Sequence, residues 1–133
     1  MSVASFVTAI SVDDVLAALA GGARPVAGGT DLVVGARSGK STLPESIVAI
    51  HRVRELHGVS VSEAGLRLGA LASHGQICEN EEIRARYSGL ADACAIVGSH
   101  ATRAQGTVGG NLMNASPAME TGGPLICLGA TVT

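Results

Sequence analysis

The sequence has no tryptophan, one phenylalanine (Phe6) and one tyrosine (Tyr87), so aromatics make up 2% of its 133 residues. Stacking of bases on aromatic side chains therefore has almost nothing to work with. Charge is also scarce. Asp, Glu, Lys and Arg make up 15% of residues, the formal net charge is −2 and no basic run occurs. That excludes the electrostatic footprint of a protein that grips a phosphate backbone, and no nucleic-acid partner is expected. No stretch of about 18 uninterrupted apolar residues exists, so no membrane span is expected. The amino-terminal MSVASFVTAISVDD has no basic residue ahead of its apolar part and two acids behind it, a poor match to a signal peptide. Cys78, Cys94 and Cys127 form no CxxC pair. They read as buried, reduced thiols of a cytoplasmic protein.

What is present is apolar: 47% of residues are hydrophobic, enough for a core built from Val, Leu, Ile and Ala. Glycine is the outlier at 18 residues, and much of it falls in two clusters. The front of the chain alternates. Residues 3–9 read as a strand, and Ser11 with Asp14 as a helix start with a partial capping box. Val15, Leu16 and Leu19 have helical spacing, and Gly21-Gly22 stops that helix. Residues 24–27 read as a second strand, 32–37 as a second helix and 46–50 as a third strand. Such β-α-β-α-β alternation favours a small parallel sheet. The middle changes character. Residues 58–61 and 66–68 form a hairpin around Ser62-Glu63-Ala64-Gly65, followed by helical stretches at 73–78, 81–87 and 90–97, the last apolar enough to be buried. Residues 98–117 read as loop-rich, 124–130 as a short buried helix, and 131–133 as the start of a strand. The expected division is 1–56 and 57–133.

The first glycine cluster is PVAGGTDL, formed by Pro25, Val26, Ala27, Gly28, Gly29, Thr30, Asp31 and Leu32, between a strand and a helix. Helix N-termini favour anions because unpaired N–H groups and the positive dipole end point at them. Two glycines would let a phosphate oxygen approach, and Thr30 adds a hydroxyl. Asp31 would repel a phosphate, so it is expected to cap the helix or accept from a sugar hydroxyl. The second cluster, GTVGGN at 106–111, offers a small anion nest, with Thr107 and Asn111 as hydrogen-bonding side chains. Each alone also reads as an ordinary tight turn, but two in one short chain suit a diphosphate. The spacing is neither the Rossmann GxGxxG fingerprint nor the P-loop.

AGGTDL at 27–32, LGALASH at 68–74 and the segment IVGSHATRAQGTVGGNLMNASPAMETGGPLICLGATV at 96–132 together resemble the FAD-binding (medium) subunit of the molybdenum hydroxylases, the xanthine and carbon monoxide dehydrogenase type. The long segment matches in order: Gly98-Ser99, Arg103, the GTVGGN block, Ser116-Pro117, the acid Glu120, Pro124-Leu125, then Ala130 and Val132. The resemblance implies an α+β, vanillyl-alcohol-oxidase-like (PCMH-type) FAD-binding domain. In that fold a small parallel β-α subdomain is followed by a mostly antiparallel α+β subdomain, here incomplete. It implies FAD held between the subdomains by Pro25 to Leu32 and by Thr107, Gly109, Gly110 and Asn111. Ser116 and Glu120 would lie near the ribityl or adenosine part, with Glu120 where the family usually has Asp. Val97 would fall at an apolar wall position. The implied partners are a molybdopterin-binding large subunit and a 2Fe-2S small subunit. Family subunits are about twice as long as this chain, so the chain reads as truncated to the amino-terminal half, with an open sheet edge.

Other residues read more plainly. His51, His57, His74 and His100 share no metal spacing and read as surface or loop histidines, with His74 the one in a stretch near the flavin in the family. Arg103 would either pair with a phosphate or brace the loop through backbone carbonyls. Glu79, Glu81, Glu82, Arg84 and Arg86 read as a solvated helix face. No residue is assigned as catalytic, since FAD does the electron chemistry. The expectation is an FAD-dependent oxidoreductase subunit that passes electrons from iron–sulfur clusters to an external acceptor. The alternatives are a non-enzymatic scaffold or remnant, or a stand-alone flavin oxidoreductase of the same superfold.

Overall fold

The computed structural model describes residues 3–133, so Met1 and Ser2, the start of the stretch tested for a signal peptide, lie outside it. The front half follows the alternation read from the sequence: β1 (Ser5–Thr8), α1 (Val12–Ala20), β2 (Arg24–Val26), α2 (Thr30–Arg37) and β3 (Ser46–Ala49). All three strands are parallel, in the order β1-β3-β2. Connections of this kind need a crossover, and α1 and α2 supply them. The central strand is the apolar one. Ile47, Val48 and Ala49 are buried, whereas both flanking strands are largely exposed. α1 starts at a complete capping box. The Ser11 hydroxyl accepts from the Asp14 N–H, and the Asp14 carboxylate accepts from the N–H groups of Ser11 and Ile10, each at 3.1 Å. Those bonds, the one from Ile10 foremost, hold the exposed Asp14 carboxyl below its usual value.

The second half opens with the expected hairpin, β4 (Val59–Ser62) and β5 (Gly65–Leu68), antiparallel, with Ser62 opposite Gly65. Six helices follow: α3 (His74–Glu79), α4 (Glu81–Arg86), α5 (Ser88–Ala95), α6 (His100–Gln105), α7 (Val108–Asn114) and α8 (Gly122–Cys127). The buried α5 was expected, and its Leu90, Ala91, Ala93 and Cys94 are sealed in. Around it gather Ile77, Ile83 and Val108, with the hairpin's Val59, Val61, Leu66 and Leu68 packed against them. A separate small cluster of Ala9, Val48 and Val53 serves the parallel sheet.

Several expectations fail. Residues 98–117 hold two helices, α6 and α7, where glycine content suggested loops. The reason is capping: Ser99 Oγ accepts from the Thr102 N–H and Thr107 Oγ1 from the Gly110 N–H, so each helix is started by a hydroxyl, α7 despite Gly109 and Gly110. The carboxy-terminal stretch is not buried. α8 ends at Cys127, Gly129 turns to φ 64°, and Ile126 is 80% and Val132 84% exposed. Residues 131–133 form no strand, because a strand exists only by pairing and none is on offer among the described residues. Only Cys94 is buried; Cys78 is half-buried and Cys127 exposed, all three as free thiols. Burial, with Cys78 and Glu120 nearby, pushes the Cys94 thiol up to about 12. The charged segment 79–86 is broken at Asn80, whose side chain caps α4 by accepting from the Ile83 N–H. Arg86 donates to the Ser62 carbonyl at 3.0 Å and lies over the Tyr87 ring rather than meeting a carboxylate.

Candidate cofactor site

The two glycine clusters, about eighty residues apart in sequence, meet in space. A Cβ built on Gly28 would stand 1.8 Å from the Gln105 carbonyl oxygen and 3.2 Å from the Gly106 nitrogen. A Cβ on Gly106 would stand 3.2 Å from His74 Cδ2 and 3.6 Å from Thr30 Oγ1. At Gly28 backbone therefore lies against backbone, a contact that a side chain there would wedge apart. The same holds one turn on. A Cβ on Gly109 would stand 2.6 Å from the Ala70 carbonyl oxygen, while the Gly109 N–H donates to that oxygen at 3.0 Å.

These contacts change the meaning of the glycines. In the second cluster the N–H groups are already engaged. Val108 donates to Ala72, Gly109 to Ala70, Gly110 to Thr107 Oγ1 and Asn111 to the Thr107 carbonyl. The segment is the first turn of α7, pinned to the loop before α3, and not an open anion nest. Polar atoms left free include the Thr107 hydroxyl proton and the Asn111 amide nitrogen, since Asn111 Oδ1 accepts from the Thr121 hydroxyl. Ser116, expected nearby, caps its own turn by accepting from the Ala118 N–H.

The first cluster is the open one. α2 begins after Gly29, which takes the left-handed φ of 69° and gives no side-chain cap. The N–H groups of Thr30, Asp31 and Leu32 have no acceptor among the described residues, so the positive end of this helix faces outward. Asp31 is exposed and makes no capping bond, contrary to one of its two expected roles. Pro25 is exposed in β2, and Val26 and Ala27 are half-buried leading into the turn.

Between the parallel sheet and the helices lies a cleft of about 480 Å³, bordered by Ala27, Gly28, His51, His57, Ser73, Gly75, Glu79, His100, Arg103, Gln105 and Thr107 among others. It brings together residues of both clusters. Arg103, on the cleft wall, braces the loop: its Nη1 donates to the carbonyls of Val97 and Gly98 at 3.3 and 3.2 Å. His51, His57 and His100 are exposed, as expected of surface histidines. His74 is not. It is 98% buried, the complement of its 2% exposure, because it opens α3 directly beneath Gly106, whose carbonyl its N–H reaches at 3.1 Å. Burial lowers its pKa, while the charges of Glu120 and Asp31 act the other way.

Sequence reasoning missed three structural partners: Gln105, Ala70 and the cap Ser73. Ser73 carried a signal. With Gln76 three residues on, it makes a capping box in which Ser73 Oγ accepts from the Gln76 N–H and Gln76 Oε1 from the Ser73 N–H. Gln105 and Ala70 act through backbone carbonyls, which no residue identity announces.

Known proteins resemble this chain in sequence and fold. The family described as "FAD binding domain in molybdopterin dehydrogenase" matches residues 2–133. The glyceraldehyde dehydrogenase medium chain of Sulfolobus acidocaldarius is 32% identical over 130 residues, covering 96% of this chain and 46% of that one. The nicotinate dehydrogenase FAD-subunit of Eubacterium barkeri is 36% identical over 107 residues, covering 80% and 36%. The structure of quinoline 2-oxidoreductase from Pseudomonas putida 86 superposes with a TM-score of 0.79 at 28% identity, over 88% of this chain and 41% of that one. The chain thus spans less than half the length of these relatives. With a parallel β-α unit, an antiparallel hairpin and two glycine segments locked together, the chain belongs to the FAD-binding domain family of the molybdopterin dehydrogenases, α+β proteins of the PCMH type whose cofactor is FAD.

Proposed function

We propose that this chain forms the diphosphate-binding part of an FAD site in an electron-transfer subunit of a molybdenum-containing dehydrogenase. The observation that carries the proposal is the direct backbone contact of Gly28 with Gln105 and Gly106. It brings the turn before α2 against the residues that lead into α7. The donors suit a diphosphate: three unpaired N–H groups on Thr30, Asp31 and Leu32, with hydroxyls from Thr30 and Thr107. Gly28, Gly109 and Gly110 would act by shape, since their small size lets the walls close. Pro25, Val26 and Ala27 would set the angle of entry. Asn111, Ser116 and Glu120 would face the sugar portions, and Val97, which is buried, would serve as wall. The division into 1–56 and 57–133 would place the flavin between the two parts.

Bound FAD accepts electrons in pairs or singly and passes them on. The chain's own task is to hold it, orient it and limit water around it. The proposed partners are a 2Fe-2S subunit that delivers electrons and a molybdopterin-binding subunit that oxidises the substrate. The relatives' names as medium chains and FAD subunits support this. The test is spectroscopic. The chain, loaded with FAD under anaerobic conditions, is mixed with a reduced 2Fe-2S protein. Bleaching of the flavin band at a rate that rises with donor concentration is the expected result. A chain that folds but never takes up FAD would instead make it a scaffold.

A further inference from the structure

His74 has a feature that the phosphate cradle alone does not explain. Its Nδ1 is fully buried with no hydrogen-bond partner, the one such side-chain atom among the described residues. Its Nε2 also has no protein partner but is not sealed in the same way. The ring edge carrying Nε2 is located by its neighbour Cδ2, which lies 3.2 Å from the Cβ position of Gly106, itself 3.6 Å from Thr30 Oγ1. That edge therefore faces the place where the two glycine segments join, at the first turn of α2. A proton on Nδ1 would be a buried donor with no acceptor, a costly state. Nε2 is the ring nitrogen that is not fully sealed, so a proton there is the one a ligand could meet. The charges nearby are the wrong sign to attract an anion, since Asp31 lies in the first turn of α2 and both Asp31 and Glu120 act on the ring. A phosphate must then be held by directed donors rather than by net charge.

We infer that His74 is a ligand-binding residue of this site: a neutral imidazole protonated on Nε2 that donates to a phosphate oxygen of the dinucleotide at the amino terminus of α2. The inference rests on the FAD-binding reading above. It adds His74, supplied from a different element, to the N–H groups of Thr30, Asp31 and Leu32 and the hydroxyls of Thr30 and Thr107. His74 thereby ties α3 to α2 only when the ligand is bound.

The test compares the wild-type chain with His74→Met, which keeps bulk and removes the donor, and His74→Gln, which places an amide N–H near the Nε2 position. Affinities are measured for FAD, for ADP, which carries a diphosphate without flavin, and for riboflavin, which carries flavin without diphosphate. His74→Met is expected to weaken FAD and ADP by about tenfold or more, as for loss of a hydrogen bond to a charged group. Riboflavin should be unaffected, and His74→Gln should recover most of the loss. Nitrogen-15 NMR of the wild-type ring, which needs no variant to fold, should show the Nε2–H tautomer before ligand is added and a shift of Nε2 on adding FAD. An Nδ1–H or doubly protonated ring at pH 7, or a folded His74→Met chain that binds FAD as tightly as wild type, would overturn the inference and leave FAD binding standing. A folded wild-type chain that binds no FAD would overturn both, and is seen without any substitution.

Discussion

Replacing Gly28 by alanine tests the junction at its tightest point. The added Cβ would lie 1.8 Å from the Gln105 carbonyl oxygen and 2.6 Å from its carbon. Both are backbone atoms, so no side-chain rotation relieves the overlap. A normal carbon–oxygen contact is about 3.2 Å or more, so the loop before α2 must part from the end of α6 by more than about 1 Å. Overpacking of this kind typically costs about 1–3 kcal/mol. For a chain of 133 residues that corresponds to a fall in Tm of about 4–12 °C. The binding penalty should be larger than stability alone explains, because a displacement of about 1 Å in a positioned site can cost about 100-fold. The assays are thermal unfolding by circular dichroism and FAD titration on the same samples. Gly123→Ala is the control: its Cβ meets nothing within 4 Å, and its φ is not positive. That substitution should be neutral or slightly stabilising. If Gly28→Ala melts with the wild type and binds FAD equally well, the backbone contact is not what holds the segments together.

Three further expectations follow from the same geometry. Gly109→Ala places a Cβ 2.6 Å from the Ala70 carbonyl oxygen and should also cost about 1–3 kcal/mol, read as a lowered melting temperature. Because burial lowers the His74 pKa in the folded chain, the unfolded chain takes up a proton near pH 6.5 that the native ring refuses. Stability should thus be lost as pH falls from 6.5 toward the lower native value, and His74→Gln should flatten that part of a denaturation-versus-pH curve. At pH 8 the exposed Cys127 should react rapidly with an alkylating reagent. Cys94, buried and with its thiol held up to about 12, should react only on unfolding, as peptide mapping would show.

How much of this was legible depended on whether side chains or backbone carried the information. The parallel unit was readable because Ile47, Val48 and Ala49 give an apolar central strand and Ser11 with Asp14 gives a capped helix. The hairpin was readable from the turn at Ser62 to Gly65. α6 and α7 were not: α6 rests on its Ser99 cap, and in α7 Gly109 and Gly110 lower helix propensity while the Thr107 cap and the Ala70 and Ala72 carbonyls, which take the N–H groups of Gly109 and Val108, hold the first turn. The glycine clusters do meet in space, but the second does so for a different reason from the one expected. In the second cluster the missing Cβ atoms admit the protein's own backbone, and only the first cluster leaves N–H groups open. His74 read as a surface residue because a lone histidine carries no periodic signal. Its burial comes from Gly106 lying over it, a contact between residues more than thirty apart. The apolar residues after Pro124 suggested a buried helix, but hydrophobicity alone does not supply a surface to pack on, and Ile126 and Val132 remain exposed.

The central claim is that two glycine segments, locked backbone to backbone, make one FAD site. A fluorescence titration of FAD into the purified wild-type chain, Gly28→Ala and Gly109→Ala tests it most directly. The account predicts saturable one-to-one binding by the wild type and a loss of about tenfold or more in each variant, one from either segment. A folded wild-type chain that leaves FAD free, or two variants that bind it as well as the wild type, would contradict it.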